Sequence, residues 1–564
     1  MRNIFEDISS SFRLLWRQPG FTLAALALLA LGIGLASGIF SVVNAVLLQP
    51  LPFKDSERIC YVWTRGEDKA RRQRAISPSE FLEYRALMEG FSAFSAFRHY
   101  RATWLHGGSA SKVSTLLMTE GYFDVLGLQP AIGRGFQPSD FAPGAGHVAA
   151  VSNAFWTERM GRDPEAVGKP VTLDGEAFTV IAVLPPIDSE FTRSEVYVPA
   201  LFSPEELAAR SSRYLYAIAR LKPGVSRQQA QAELDAAAAS IAARFPDSNR
   251  GWSAYLVEAK EEIIGDSRQP ILVLFAAVCL VLLIACANLA NLYLVRLNGR
   301  QREVAVRSAL GASQGRIFRG FLLESFWISL LGAAAGLLVA RATIHAVQTY
   351  SPAAVPRLQH ATLDVQVLLF ALGLSLVSGL LFGAGPAFRS LKMDLAGSLR
   401  DESRSSTGGR SRSRSRSLLV VAEVALSVIL LVCAGLLTRT FQKLAALDTG
   451  FRPEGVLTAQ NLLPTPKYEA EAPRIEYVRR VLEKLRAIPG VLHAGVGTAL
   501  PMQQQNWMAD ISVEGQDHSG GAMHSVTYHA VSPGFLEAIG ARIARGQCHS
   551  FVSAHQQPVG RRHA

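Results

Sequence analysis

Residues 271–295 read ILVLFAAVCLVLLIACANLANLYLV, with no charged side chain from end to end. A helix needs about 20 mostly apolar residues to cross a bilayer, so this stretch predicts a membrane span. Four more stretches qualify on the same ground: 21–48, 321–340, 365–387 and 418–437. One span stands near the start, a long polar segment (49–269) follows, and three spans then come close together. The last span opens a second polar segment, 438–564. The pattern predicts an α-helical polytopic membrane protein of about five spans, with large mixed α/β domains outside the bilayer. The composition agrees: the 564 residues are 49% hydrophobic and 18% charged, too apolar for most soluble enzymes and too polar for a wholly buried chain.

Charge placement orients the spans. The net charge is +11, and the basic residues gather in three places. Between spans two and three stand Arg296, Arg300, Arg302, Arg307, Arg316 and Arg319 against Glu303 alone. Between spans four and five stand Arg389, Lys392, Arg400, Arg404, Arg410, Arg412, Arg414 and Arg416. The N-terminus adds Arg2, Arg13 and Arg17, while the loop between spans three and four carries only Arg341 and Arg357. Lys and Arg mark cytoplasmic loops, so the N-terminus and segments 296–320 and 391–417 are expected inside and the two long polar segments outside. Residues 1–20 read as an amphipathic helix along the inner leaflet: Ile4, Ile8, Phe12, Leu15 and Trp16 recur at helical spacing, and Pro19-Gly20 ends it. A cleavable signal peptide is not expected, because the first apolar run is too long and lacks a small-residue cleavage site.

Polar and small residues within the spans have plain readings. Glu423 and Glu324 lie near span ends and are read as reaching the headgroups, against the alternative of a functional intramembrane carboxylate. Gly34 and Gly38, Gly332 and Gly336, and Gly379 and Gly383 each have GxxxG spacing, which lets helices pack closely. General bundle packing is the plain reading and a dimer seam the sharper one. Gly385-Pro386 is expected to kink or end the fourth span.

The outer segments show local folding signals. Residues 170–184 (PVTLDGEAFTVIAVL) are two strand-like runs around Asp174-Gly175, a hairpin signal. Residues 215–221 predict a strand and 226–245 a helix, with Ser226 and Gln229 as a capping box. Residues 121–133 (GYFDVLGLQPAIG) and 534–546 (GFLEAIGARIARG) form an internal repeat, with Gly127 against Gly540 and Gly133 against Gly546 in register. The second copy dissolves after Gly546 into CHSFVSAHQQPVGRRHA, so it is expected to be incomplete.

Little of this sequence carries reaction chemistry. Cys279, Cys286 and Cys433 fall inside apolar spans, and Cys60 and Cys548 are far apart in sequence, which supports neither a disulfide framework nor zinc. His524 and His529 lack a third ligand at metal spacing. Neither a metal nor a cofactor is expected. No GxxxxGK[ST] occurs, and Gly168-Lys169 has the wrong spacing. The chain is therefore not expected to bind ATP in the P-loop manner, and it is not expected to be an enzyme. Residues 311–315 (GASQG) match G-x-S-x-G but follow helical spacing, so a turn is expected rather than a nucleophile elbow. The Arg-Ser alternation at 410–417 reads as an anchor to anionic lipid rather than a nucleic-acid site.

Several long motifs carry a family resemblance. RQREVAVRSALGASQGRIFRGFLLES (300–325) resembles the cytoplasmic coupling segment of MacB-type and FtsX-type ABC transporter permeases, and ACANLANLYLVR (285–296) resembles the span before it. GYFDVLGLQPAIGRGF and ARLKPGVSRQQAQAEL resemble the MacB-type periplasmic core domain. VAEVALSVILLVCAGLLTRTF resembles the span that begins the second half of duplicated "orphan" permeases of acidobacterial type. The resemblance implies a core domain over 49–269, an FtsX-like permease domain over 270–390, and a second, incomplete core domain over 438–564. It also implies an inner-membrane permease that couples a separate cytoplasmic ABC-type ATPase to movement of periplasmic domains, in efflux or envelope mechanotransmission. The complete duplicated type has more spans than this chain, so the chain reads as truncated, and self-association, a second permease or a periplasmic adaptor would be its other partners. Within the coupling segment, Glu303 and Arg307 can pair at i,i+4. Ala309, Leu310 and Ala312 are small or apolar and suit docking into a groove, Gly311 stands among the coupling residues with them, and Arg302, Arg307 and Arg316 could meet acidic residues of the ATPase. The plainer reading is a basic loop that only sets topology. A non-transporting FtsX-like signalling or scaffold protein, or an inactive fragment, is the alternative for the whole chain.

Overall fold

The computed structural model describes residues 19–66, 75–187, 190–299, 314–350, 355–391, 409–460, 463, 468, 470–501, 507–511 and 524–541. These form two compact units: residues 1–50 with 261–445, and residues 51–260 with 446–564. The amphipathic helix expected over 1–18, most of the coupling segment and the 548–564 tail lie outside the described residues.

The first unit is built from five long helices: α1 (Pro19–Val43), α2 (Ala259–Gly299), α3 (Gln314–Tyr350), α4 (Val365–Leu391) and α5 (Gly409–Ala445). Each contains a stretch long and apolar enough to cross a membrane. In a bilayer the backbone must satisfy its own hydrogen bonds, and an unbroken helix does so locally. Four helices outrun the spans expected from apolarity alone. α2 begins at Ala259 and includes Pro270, α3 continues to Tyr350, and α5 continues to Ala445. The apolar count marks where lipid must be faced, not where the hydrogen-bond ladder stops. α4 also runs through Gly385-Pro386 to Leu391, so that pair does not end it.

α1 touches α2, α3 and α4. A methyl on Gly32 would meet Leu282 and Ala285 of α2. Phe40 stacks on Phe370 of α4, with ring centroids 3.9 Å apart and planes 11° from parallel. Leu29, Ile33 and Ala36 lie in one buried cluster with Leu282, Leu289, Ile328 and Phe382. α5 is different: none of its residues from Val420 to Ala445 is buried, and Leu431 and Leu437 are largely exposed. Such a surface suits lipid. Glu423 lies near the start of that apolar stretch.

The second unit centres on a mixed sheet of ten strands among the described residues. Its order is β10-β1-β9-β2-β3-β8-β5-β7-β4, with β6 pairing β2 and β7. The strands are β1 (Ile59–Gly66), β2 (Phe91–His106), β3 (Ser109–Met118), β4 (Ile132–Gly133), β5 (Val148–Val151), β6 (Pro170–Leu173), β7 (Glu176–Val183), β8 (Val196–Pro199), β9 (Tyr216–Leu221) and β10 (Trp252–Glu258). Asp174-Gly175 joins β6 to β7 with φ values of 52° and 94°, the left-handed pair that a two-residue hairpin requires. Gly107-Gly108 joins β2 to β3 in the same way, at 55° and 79°.

The sheet carries two cores. In one, Cys60, Val62, Phe94, Ala96, Ala217 and Ala219 pack beneath Leu234, Ala238 and Ile241 of the helix Arg227–Arg244. Ser226 caps that helix, accepting from Gln229 N–H, and Gln229 closes the capping box. In the other, Trp104, Val113, Val151, Phe155, Leu173, Val180 and Val196 pack together. A buried ion pair crosses the first core. Arg213 and Glu80 are 2% and 1% exposed. Glu80 accepts from Ser77 N–H and Asn249 Nδ2, and the Arg213 guanidinium lies 3.9 Å from the Trp252 ring centroid.

Over the described residues the repeat in sequence is a repeat in geometry, and Gly546, the match to Gly133, lies outside them. Short helices Tyr122–Leu126 and Phe535–Ala538 each follow a left-handed glycine, Gly121 (φ 88°) and Gly534 (φ 89°). Gly127 and Gly540 end the two motifs at φ 68° and 66°. Upstream, Ala96 N–H donates to Thr119 Oγ1, and Val496 N–H donates to Ser532 Oγ, each at 2.8 Å. The return bonds, Thr119 N–H to Ala96 O and Ser532 N–H to Val496 O, are also 2.8 Å each. Ahead of the second motif, β11 (Trp507–Ile511) pairs antiparallel with β12 (His524–Tyr528), as β2 pairs with β3 ahead of the first.

Arg213→Ala should leave the Glu80 carboxylate buried without its cation, at a cost of about 3–5 kcal/mol. Hydrogen exchange across Pro78–Leu87 in the intact chain should accelerate accordingly. Unchanged exchange would show that the pair adds nothing to stability.

Candidate functional site: the base of the coupling segment

The segment expected to couple to an ATPase falls between the end of α2 and the start of α3. Arg302, Glu303, Arg307, Ala309, Leu310 and Gly311 lie outside the described residues, and Arg316 stands in the first turns of α3. The described residues instead define what holds the two ends of the segment.

Arg296, near the end of α2, forms an ion pair with Glu324 of α3, with Nη1 2.6 Å from Oε1. The two side chains are 8% and 3% exposed. Glu324 therefore faces the bundle and not the headgroups, which corrects the expectation from sequence. Apolar counting places Glu324 at a span end, but α3 starts earlier, and α2 brings an arginine to meet it. A carboxylate in such a setting is retained only with a cation beside it.

Aromatic rings enclose the pair. The Arg296 guanidinium lies 4.5 Å from the centroid of Phe21 on α1 and 5.9 Å from that of Tyr293. Tyr293 in turn meets Phe21 at 6.0 Å, Phe321 of α3 at 6.4 Å and Phe382 of α4 at 6.3 Å. One ion pair and four rings thus join α1, α2, α3 and α4 beside the end of α2 and the start of α3. A cation stacked on ring faces gains further attraction in a desolvated setting.

The spaced glycines lie on helix seams. A methyl on Gly34 would stand 2.5 Å from the Gly336 carbonyl oxygen and 2.6 Å from Val339 Cβ. On Gly38 it would meet Thr343, on Gly332 it would meet Leu29, and on Gly336 it would meet the Ala30 carbonyl. These four glycines bring α1 and α3 together. Gly383 and Gly379 do the same for α4 against α3: a methyl on Gly383 would overlap the Ser325 hydroxyl, and one on Gly379 would stand 3.4 Å from Phe326 Cα. Ser329 Oγ bridges this second seam, donating to Ser375 O at 2.6 Å. These seams are internal to the chain, whereas Gly435 on α5 faces open space.

Sequence reasoning counted Arg296 only as a topology charge, and the Arg296–Glu324 clamp was missed. A signal existed: a lone acid at the start of one span, and an arginine closing the span before it. Among the described residues no cluster of His, Cys, Asp and Glu is arranged to hold a metal.

Five helices long and apolar enough to cross a membrane, in a chain that also carries an α/β unit, define a multi-pass membrane protein. Residues 22–237 match the MacB-like periplasmic core domain, and residues 275–395 match the FtsX-like permease C-terminal domain. The chain is 28% identical over 295 residues to the uncharacterized ABC transporter permease YknZ of Bacillus subtilis, across 50% of this chain and 69% of that protein. It is 26% identical over 308 residues to the macrolide export ATP-binding/permease protein MacB 1/2 of Paracoccus denitrificans, across 52% of this chain and 42% of that protein. It thus spans less than half the length of that relative. The crystal structure of the periplasmic region of MacB from Actinobacillus actinomycetemcomitans overlays with a TM-score of 0.30 at 14% identity, covering 41% of this chain and 97% of that one. The chain belongs to the MacB/FtsX-like ABC transporter permeases and is a multi-pass protein of the inner membrane.

Glu324→Ala should destabilise the bundle by about 3–5 kcal/mol, because it strands the Arg296 charge. The paired change Arg296→Met with Glu324→Leu should recover most of that loss, read as thermal unfolding of the purified chain in detergent. Equal loss in the single and paired variants would assign the effect to packing instead.

Proposed function

We propose that this chain is the permease subunit of an ABC-type efflux or envelope mechanotransmission system, driven by a separate cytoplasmic ATPase. Arg302, Glu303, Arg307, Ala309, Leu310, Gly311 and Arg316 form the docking surface for that ATPase, and the N-terminus and both basic segments face the cytoplasm. The observation that carries this reading is the Arg296–Glu324 clamp. A segment that receives a push transmits it only if its two supports move together. The clamp ties α2 and α3 at the point of entry, and the glycine seams pass displacement of α3 on to α1 and α4.

The mechanism is mechanical. Closure of the ATPase displaces segment 296–320. α3 is a single helix of 37 residues, about 55 Å at 1.5 Å per residue, so it carries displacement from one side of the bilayer to the other. α2 begins at Ala259, the residue after β10 ends at Glu258. The outer domain thus continues into α2 without an intervening loop, and α2 is the direct route for motion to reach it.

Leu310→Glu and Arg307→Glu should each lower recovery of the co-expressed ATPase with the tagged chain by about tenfold or more, while membrane insertion stays unchanged. Undiminished recovery with both variants would remove 302–316 as the docking surface. Failure of the unaltered chain to recover any ABC-type ATPase from native membranes would remove the permease-subunit reading itself.

A further inference from the structure

The opposite end of the bundle carries a second, separate set of polar contacts. α1 does not end as a simple α-helix: Asn44–Leu48 form a π-helical turn, closed by Gln49 N–H donating to Asn44 O at 2.9 Å. π-turns are rare and frequently mark functional positions. The loop between α3 and α4 meets this turn from the side. Asp364 Oδ2 accepts from Asn44 Nδ2 at 2.9 Å and from Gln49 Nε2 at 3.4 Å. Asp364 Oδ1 caps α4, accepting from Val367 N–H at 2.8 Å. Arg357 donates from Nη1 to Gln49 O at 2.8 Å and from Nη2 to Pro50 O at 3.0 Å. Ser41 Oγ, one turn earlier, donates to Thr362 O at 2.7 Å.

These contacts fit together. Arg357 has φ 58°, a conformation that an arginine rarely adopts, and from it the guanidinium reaches the last two carbonyls before residue 51. Asn44 and Ser41 are buried, so their polar groups need these partners. Gln348 of α3 holds the loop from behind, donating to Ala361 O at 3.0 Å and to Leu358 O at 3.3 Å. Val42, Val46, Ile344, Leu358 and Ala361 fill the space between.

We propose that Asp364 and Arg357 form a latch that makes the outer end of α1 follow α3 and α4, with Asp364 as its principal positioning residue. The latch grips the chain at Gln49–Pro50, where α1 gives way to the outer segment. The glycine seams join α1 to α3 within the bundle, and the latch joins them at its outer end. Displacement of α3 therefore reaches the start of the outer segment through residues 355–364. The role in transmission rests on the coupling function proposed above; the latch itself does not.

The test uses the full chain in nanodiscs, alone and with its ATPase, and reads hydrogen exchange. Asn44→Asp sets two carboxylates against each other and should raise exchange of the Gln49 amide and the 44–48 turn about tenfold or more. Adding Asp364→Asn to it reverses the donor and the acceptor while keeping the α4 cap, and should restore the original rate. Arg357→Ala should release the same amides. If Asn44→Asp and Arg357→Ala both exchange as the unaltered chain does, the latch is refuted. With ATPase and a non-hydrolysable nucleotide, the unaltered chain should change exchange in 51–66, and Asn44→Asp should lose that change. Retention of the change in Asn44→Asp refutes the transmission role. Its absence in the unaltered chain refutes the coupling function and leaves the latch to the first readout.

Discussion

The close approach of α1 and α3 at Gly34 and Gly336 underlies everything else in the membrane unit. Between helices in lipid there is little hydrophobic drive, and stability comes from packing at short range and a few polar contacts. With no side chain at either glycine, backbone meets backbone: a methyl at Gly34 would lie 2.5 Å from the Gly336 carbonyl. That approach sets the spacing at which Gly38 meets Thr343 and Gly332 meets Leu29. It also leaves α1 near enough to α2 and α4 for Phe21 to cover Arg296 and Phe40 to stack on Phe370.

Two sets of charged contacts lie at the ends of these seams. At one end Arg296 pairs with Glu324 and lies against Phe21 and Tyr293, and Tyr293 in turn meets Phe321 and Phe382. At the other, Asp364 and Arg357 hold the π-turn of α1. Both sets are charged and substantially desolvated, so removing one member costs more than the contact itself contributes. The apolar middle of the bundle needs no such partners. A helix set with polar fastenings at its two ends and small-residue seams between them can move as one body.

Much of this was legible in the sequence. Span count, the hairpin at Asp174-Gly175 and the cap at Ser226 depend on residues adjacent in sequence, and local rules suffice for them. The repeat was legible because Gly121 and Gly534 need the same left-handed backbone. What escaped were pairings between distant residues. Nothing local says that Glu324 will meet Arg296, or that Asp364 will meet Asn44 across 320 positions. The helix ends also escaped, because apolarity marks only the lipid-facing part of a ladder that extends into water. The repeat pattern gave no hint that α1 would be enclosed while α5 stays bare.

The long strand β2 runs through both cores of the α/β unit. Its first half, with Phe91, Phe94 and Ala96, lines one core, and its second half, with Ala102 and Trp104, lines the other. β9 pairs with it only from Phe91 to Phe97, and β6 only at Trp104 and Leu105. From Arg98 to Ala102 only β3 pairs with it as a strand, while Thr103 is held on the other side by Asp174, which accepts from Thr103 N–H and donates its own N–H to Thr103 O, each at 2.8 Å. The two lobes are thus strung on one beam whose middle is braced on a single side. Torsion between the lobes should collect from Arg98 to Ala102, and the lobes themselves should stay rigid on either side.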